Sequence, residues 1–281
     1  MISDKESIAE AIVKDEARLA ELDEERRGLL KRVQLLRAQF EALDQPEASV
    51  ETSSFTPSEK ISLFRSLFLG RNDVFPKLWT NRVGGKGYAP ACSNDLKDGL
   101  CSKGRKPRIP CSECRFQNYI PLSDSIIRDH LQGKHVIGVY PLLPDDTCWF
   151  VAADFDKDLW QEDVAAFCET CKSLEISIAV ERSRSGNGAH VWFFFTEPVP
   201  AALARNMVCY LITETMSRRH QLSMNSYDRL IPSQDTMPRG GFGNLIALPL
   251  QLDRRQLGNS VFVDENFCII PNNAEILVKK Y

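Results

Sequence analysis

The sequence predicts an α+β protein, and three observations carry that prediction. From about residue 75 onward, short apolar strands alternate with amphipathic helices. The N-terminus holds a heptad seam set apart by a polar linker. Between them lies a loop-rich stretch with four closely spaced cysteines. The chain has 281 residues, enough for one large domain with an appendage. Hydrophobic residues make up 43% and charged residues 26%, ordinary for a soluble globular protein. A formal net charge of −3 excludes a generic polybasic binder of nucleic acid, though not a local basic surface. No apolar run reaches the roughly 18 residues of a membrane span. The start, MISDKESIAEA, lacks the apolar centre of a signal peptide. A cytoplasmic location with no membrane partner is therefore expected.

Residues 1–44 are expected to form a coiled-coil helix. Ile8, Ile12, Leu19, Leu22, Leu29, Val33, Leu36, Phe40 and Leu43 recur at steps of four and three, with Asp15 and Arg26 at the two polar seam positions. The seam is narrow, which favours pairing with another helix, in a homodimer or with a partner. The alternative is a helical hairpin broken near Gly28, where glycine weakens a helix by about 1 kcal/mol. Residues 45–57 (QPEASVETSSFTP) read as a linker. A domain over 58–281 follows. Its first helix can be capped by Thr56 or Ser58, carries Ile61, Phe64 and Phe68 as its apolar stripe, and ends before Gly70. Strands are then expected at 135–143, 147–153, 176–181, 190–195, 245–250 and 261–263, and helices at 163–174 and 201–220.

Cys92, Cys101, Cys111 and Cys114 fall within 23 residues, the last two as a CxxC. In a cytosolic chain such a group reads as metal ligands before disulfides. Four thiolates fit a tetrahedral Zn²⁺, and a segment so rich in Gly and Pro has little core of its own, so a structural zinc knuckle at about 90–116 is expected. Lys103, Arg105, Lys106 and Arg108 lie between the cysteines and could hold a phosphate backbone. The second CxxC, Cys168 and Cys171, sits in a helical stretch and reads as core or surface thiols.

Three further pieces carry chemistry. Asp154 and Asp156 end an apolar strand, and residues i and i+2 of a strand share a face. Two carboxylates there make a hard oxygen site suited to Mg²⁺ or Mn²⁺. Residues 145–175 hold nine Asp/Glu and two Lys, a field that favours divalent cations. The second piece is the Ser185-Gly-Asn-Gly188 turn leading to His190. Its backbone N–H groups, the Ser185 hydroxyl and the His190 imidazole could meet one phosphate, with Arg182 and Arg184 adding positive charge. The third is Asp235, which precedes the glycine-rich loop of Arg239 to Asn244. An acid there could complete a three-carboxylate, two-metal site.

Taken in order, these pieces resemble the archaeo-eukaryotic primase superfamily, the primase-polymerases. The closer resemblance is to the primase domain of TOTE conflict systems and of related CRISPR-associated primase-polymerases. It is carried by YAPACSND with its three later cysteines, VAADFD, SRSGNGAHVW and SQDTMPRGGFGNLIALPLQ, over roughly residues 55 to 265. The resemblance implies an RRM-like antiparallel sheet with a second α/β unit and a site in the cleft between them. It implies metal-binding acids at Asp154, Asp156 and Asp235, with Asp228 as the alternative to the last. Ser185 and His190 would contact a nucleotide triphosphate, with Gly188, Arg239 and Asn244 as looser nucleotide contacts. Family members continue further at the C-terminus, so the chain reads as a fragment or a shortened form.

The function expected is template-directed nucleotidyl transfer, as a DNA primase or polymerase of a mobile-element or defence system. It would act on single-stranded template or primer with dNTP or NTP, using catalytic Mg²⁺ or Mn²⁺ and structural Zn²⁺. The alternative is a non-catalytic or nuclease-type nucleic-acid-binding protein with a zinc module and a coiled-coil partner domain.

Overall fold

The computed structural model describes residues 7–19, 21–22, 25, 28–29 and 32, and residues 55–271 except 82, 104–106, 108, 158 and 220–223. It divides into two compact units, Met1–Thr52 and Ser53–Tyr281. In the first unit residues 7–19 form helix α1, and the described residues up to 32 are helical as well. Gly28 and Leu29 are helical, so no turn falls on Gly28. Ile8, Ile12, Leu19, Leu22 and Leu29 of the seam are all exposed. Arg26, Val33, Leu36, Phe40, Leu43 and the expected linker up to residue 54 lie outside the described residues.

The second unit opens with α2 (Pro57–Leu67). Thr56 begins it as a capping box: its hydroxyl accepts from the Glu59 amide at 3.3 Å, and its own amide donates to the Glu59 carboxylate at 2.7 Å. Pro57 occupies the first turn, where its missing N–H costs nothing. Next come a hairpin of β1 (Pro76–Thr80) and β2 (Lys86–Pro90), then α3 (Asp124–Leu131) and β3 (Gly138–Val139). The chain continues through β4 (Thr147–Asp156), α4 (Trp160–Ser173), β5 (Ala179–Arg182), β6 (Gly188–Pro200), α5 (Ala201–Arg218) and β7 (Tyr227–Ile231). It closes with β8 (Ile246–Ala247), α6 (Leu252–Arg255) and β9 (Val261–Val263). The main sheet has the order β7-β4-β6-β5-β9, with every pair antiparallel. From β4 to β7 the elements run β-α-β-β-α-β, a split βαβ arrangement. β3 pairs with β8 apart from that sheet.

Alternation along β4 and β6 sorts the core into two layers. Val151, Ala153, Phe155, Val191 and Phe193 face α4 and α5, where they pack with Phe167, Val208 and Leu211. Phe150, Ala152 and Trp192 face the other way, toward Phe64 and Phe68 of the α2 region, Ile127 of α3 and Val139 of β3. Each such large side chain taken out of water contributes roughly 1.5–3 kcal/mol. Phe68 meets the Trp192 ring edge-on at 5.0 Å and stacks on Phe262 at 6.4 Å. This second layer covers the sheet face that carries Asp154.

Several boundaries depart from sequence expectation. The strand expected over 135–143 is reduced to Gly138–Val139, and that over 245–250 to Ile246–Ala247. Pro141, Pro144 and Pro249 lack the N–H a longer ladder needs. β4 runs on through Asp156, and β6 extends from Gly188 to Pro200. The β1–β2 hairpin, α3 and β7 were not foreseen.

The cysteine segment differs in its chemistry. A bridge from Cys92 to Tyr119 closes it, with bonds from Asn94 to the Phe116 carbonyl and from the Tyr119 hydroxyl to the Cys111 carbonyl, both 2.9 Å. Lys103 is ion-paired with Asp95 at 2.7 Å. All four cysteines are free, and no three His, Cys, Asp or Glu side chains among the described residues form a group that could hold a metal. The expected zinc site is therefore not present as a formed ligand set. The Cys101 and Cys114 thiols lie near enough to Cys111 for their charges to act on it. The Cys92 sulfur accepts from the Asn118 amide at 3.4 Å, while the Cys114 thiol lies 3.9 Å from the Leu100 carbonyl. Cys171 is buried under the sheet against α5, a core thiol.

Candidate active site

Backbone pairing lines up one row of residues across the sheet. Arg229 on β7 stands opposite Asp154 on β4, Asp154 opposite His190 on β6, His190 opposite Glu181 on β5, and Glu181 opposite Phe262 on β9. Residues directly opposite in an antiparallel sheet share a face. The row lies at the end where β4 leaves the core.

Its side chains are tied together. His190 Nδ1 is 2.9 Å from Glu181 Oε2, and Nε2 is 3.5 Å from Asp154 Oδ1. Glu181 is 1% exposed and also accepts from Trp192 Nε1 at 3.0 Å and from Ser260 Oγ at 3.3 Å. A buried carboxylate needs such partners. Burial by itself would lower the His190 pKa, but the Glu181 charge and hydrogen bond, with Asp154 behind them, raise it above the ordinary histidine value. Burial lifts the Asp154 carboxyl above its usual range; His190 and Arg229 oppose this, while Asp228 and Asp156 lift it further.

Asp156 follows two residues after Asp154 on the same face; its Oδ1 makes no hydrogen bond and has Lys157 Nζ 3.8 Å away. Its backbone N–H donates to the Ser226 carbonyl at 2.7 Å, and Ser226 is held by buried Asp163 of α4 at 2.6 Å. The third acid arrives by an irregularity. Asp154 pairs with Arg229 and Phe155 with Tyr227, so Asp228 is the extra residue of a β-bulge. The bulge leaves Asp228 beside Arg229, near enough to Asp154 to act on its charge.

Asp235 is placed differently. Its carboxylate is ion-paired with Arg205 of α5. The structure gathers Asp154, Asp156, Asp228 and His190. No three acids among the described residues stand as a ready-made metal cage.

The remaining expected residues divide into turn builders and exposed groups. Ser185 Oγ lies 3.0 Å from Ser183 Oγ and accepts from the Asn187 amide at 3.2 Å, within a turn whose Gly186 has φ +82°. Gly188 pairs with Asp156, and a Cβ there would fall 2.4 Å from the Phe155 carbonyl oxygen, so glycine lets β6 close on β4. Arg182 donates to the carbonyls of Gly258 and Phe267 at 3.0 and 2.6 Å, which makes it a brace for the β9 region. Arg184 turns instead to the Tyr88 hydroxyl on β2. Asn244 closes its own loop: its Oδ1 accepts from the Ser233 amide at 3.3 Å, and its amide donates to Gln234 at 3.2 Å. Phe242 wedges between Tyr119 and Tyr140, with the Arg71 guanidinium 5.2 Å above its ring. Arg239 is exposed.

Sequence reasoning gave no role to Glu181 or Arg205. For Glu181 the signal was the hairpin register: a turn closed by Arg182 and Ala189 puts residue 181 opposite residue 190. Arg205 offered no such signal, since only the tertiary fold brings α5 beside Asp235.

An antiparallel sheet with an acid cluster at a strand end, in a mixed α/β unit, is the setting of a primase/polymerase-type nucleotidyltransferase. Residues 59–280 match the family model of the TOTE conflict system archaeo-eukaryotic primase domain, and the chain belongs to that family. Among solved structures, it is similar to the polymerase domain from Mycobacterium tuberculosis Ligase D in complex with DNA, at 10% identity and a TM-score of 0.41, over 80% of this chain and 88% of that one. Comparison with curated proteins gives no match.

Proposed function

We propose that the second unit is a template-directed nucleotidyltransferase, a DNA primase or polymerase working on single-stranded nucleic acid with dNTP or NTP. Its β-α-β-β-α-β core is read as RRM-like, with the site at the edge of the cleft between that sheet and the α2–α3 layer. The observation that carries this reading is the gathering of Asp154, Asp156, Asp228 and His190 at one end of one sheet face.

These residues fit a divalent cation. Asp156 Oδ1 makes no hydrogen bond, and burial with the neighbouring Asp228 and Asp156 raises Asp154, so hard oxygens lie close together. Asp154, Asp156 and Asp228 would hold Mg²⁺ or Mn²⁺, with Asp228 taking the place first expected of Asp235. Bound there, the metal would supply charge neutralisation and a lowered pKa for the attacking 3′-hydroxyl.

The chain's own groups handle the triphosphate. Glu181 fixes the His190 ring through Nδ1 and leaves Nε2 facing Asp154 at a length beyond a strong hydrogen bond, so its N–H can turn to a phosphate oxygen. The raised His190 pKa favours the charged ring that offsets phosphate charge. Amides of the Ser185–Gly188 turn add donors at the same strand end. No protein nucleophile is required. The exposed seam of α1 is read as a coiled-coil surface for a second helix, in a homodimer or with a partner. Service in a defence system follows from the family's name and is part of this proposal.

The test is extension of single-stranded template with Mn²⁺ or Mg²⁺, with and without primer, beside the Asp154→Asn variant. Product that disappears in the variant supports the reading, and product without primer makes it a primase. Absence of product from a folded wild-type chain, under every metal and nucleotide tried, overturns the enzymatic reading. Oligonucleotide loss without added nucleotide points to a nuclease instead.

A further inference from the structure

The β1–β2 hairpin stands outside the site just described, and its surface has an unusual make-up. Over residues 76–90 it holds Lys77, Arg82 and Lys86 and no acid. Lys77 and Lys86 are exposed, and neither has an ion-pair partner among the described residues. Trp79 is 45% exposed, although tryptophan usually buries most of its large surface.

The placing of that ring is specific. Trp79 pairs with Gly87 across the hairpin. A Cβ on Gly87 would lie 2.9 Å from Trp79 Cζ2, so the indole rests against bare backbone. The backbone covers one side of the ring while the rest remains open to solvent. Lys77, two residues away, shares its face. On the opposite face of the hairpin, Tyr88 bonds to Arg184, one residue before Ser185 in the turn next to His190. The hairpin is thus fastened to the expected nucleotide-binding loop.

We propose that Trp79 is a stacking platform for a nucleobase of single-stranded nucleic acid, with Lys77 on the same face drawing in the phosphate backbone. An aromatic face beside an unpaired cation is the combination that holds single strands without reading sequence. A neutral or basic protein partner fits less well, because the face of Trp79 and Lys77 offers it no opposite charge. This inference rests on the proposed reading that the domain handles nucleic acid.

The test uses the full chain and a fluorescent single-stranded oligothymidylate, with affinity read by anisotropy at fixed salt. Trp79→Ala is expected to weaken binding about five- to a hundredfold, the span of one lost base–aromatic stack. Trp79→Phe should keep most of the affinity. Lys77→Glu should weaken binding and flatten its salt dependence without touching the core. The nucleotide KM should not change in any of the three. Wild-type binding equalled by Trp79→Ala and Lys77→Glu overturns the platform and leaves the polymerase reading intact. A wild type that neither binds oligonucleotide nor extends primer overturns both. Circular dichroism establishes that each variant is folded.

Discussion

Glu181 and His190 are paired twice over: opposite each other in the β5–β6 ladder, and joined by a 2.9 Å contact between the Glu181 carboxylate and Nδ1 of the ring. Because Glu181 also accepts from Trp192 and Ser260, the carboxylate is fixed and the imidazole takes its orientation from it. Removing the charge while keeping the shape separates the two effects. Glu181→Gln is expected to lower the His190 pKa and raise the nucleotide KM more than it changes kcat. NMR titration of the histidine rings with chelator present, together with steady-state extension kinetics, checks both. The sign of the coupling is definite. A raised pKa means that this pair stabilises the fold below the ordinary pKa of about 6.5, and the contribution fades as pH climbs through the raised value.

The acids can be ranked by position. Asp154→Asn and Asp228→Asn are each expected to cut extension by about a hundredfold or more, the scale of losing one group that stabilises transition-state charge. Asp235→Asn should retain much more activity, because that carboxylate is engaged with Arg205. A larger loss at Asp235 than at Asp228 in primer extension would return the third position to Asp235.

His130 makes a separate prediction about acid stability. It is fully buried, accepts from the Ile137 amide at 3.2 Å through Nδ1, and its Nε2 lies 3.0 Å from the Pro249 carbonyl. The Nδ1 bond requires the neutral ring, and burial pushes its pKa from 6.5 to about 4. The unfolded chain therefore takes up a proton first as pH falls. Stability should drop by about 2 kcal/mol between pH 7 and pH 5 from this group alone, and the effect saturates below about pH 4. Urea denaturation at the two pH values measures it, and His130→Gln should flatten the dependence.

Gly188→Ala tests the close approach of β6 to β4. The added methyl would sit 2.4 Å from the Phe155 carbonyl oxygen, so backbone must move, at a cost of about 1–3 kcal/mol. A thermal midpoint unchanged from wild type would contradict that packing.

Much of this architecture was legible in the sequence. Apolar runs located β4 and β6, and Thr56 was one of the two caps expected for α2. Period-2 logic alone put Asp154 and Asp156 on one face. What escaped was non-local. β7 reads Y-D-R-L-I, with too few apolar residues in alternation to announce a strand, and so Asp228 stood only as the alternative third acid. Asp235 was favoured because the resemblance sets the third motif there; the glycine-rich loop after it is held together through Asn244 and Phe242.

The bulge in β7 gives the site an unusual dependence on chain length. In an unbroken ladder running on from the Asp154–Arg229 pair, Asp228 would stand opposite Phe155, whose side chain lies under α4 and α5. One residue too many is what turns this carboxylate outward to meet its fellows. A single-codon deletion within β7 could therefore abolish the acid cluster while every acidic residue remained in the gene. A tally of retained motifs across related genomes would score such a protein as intact.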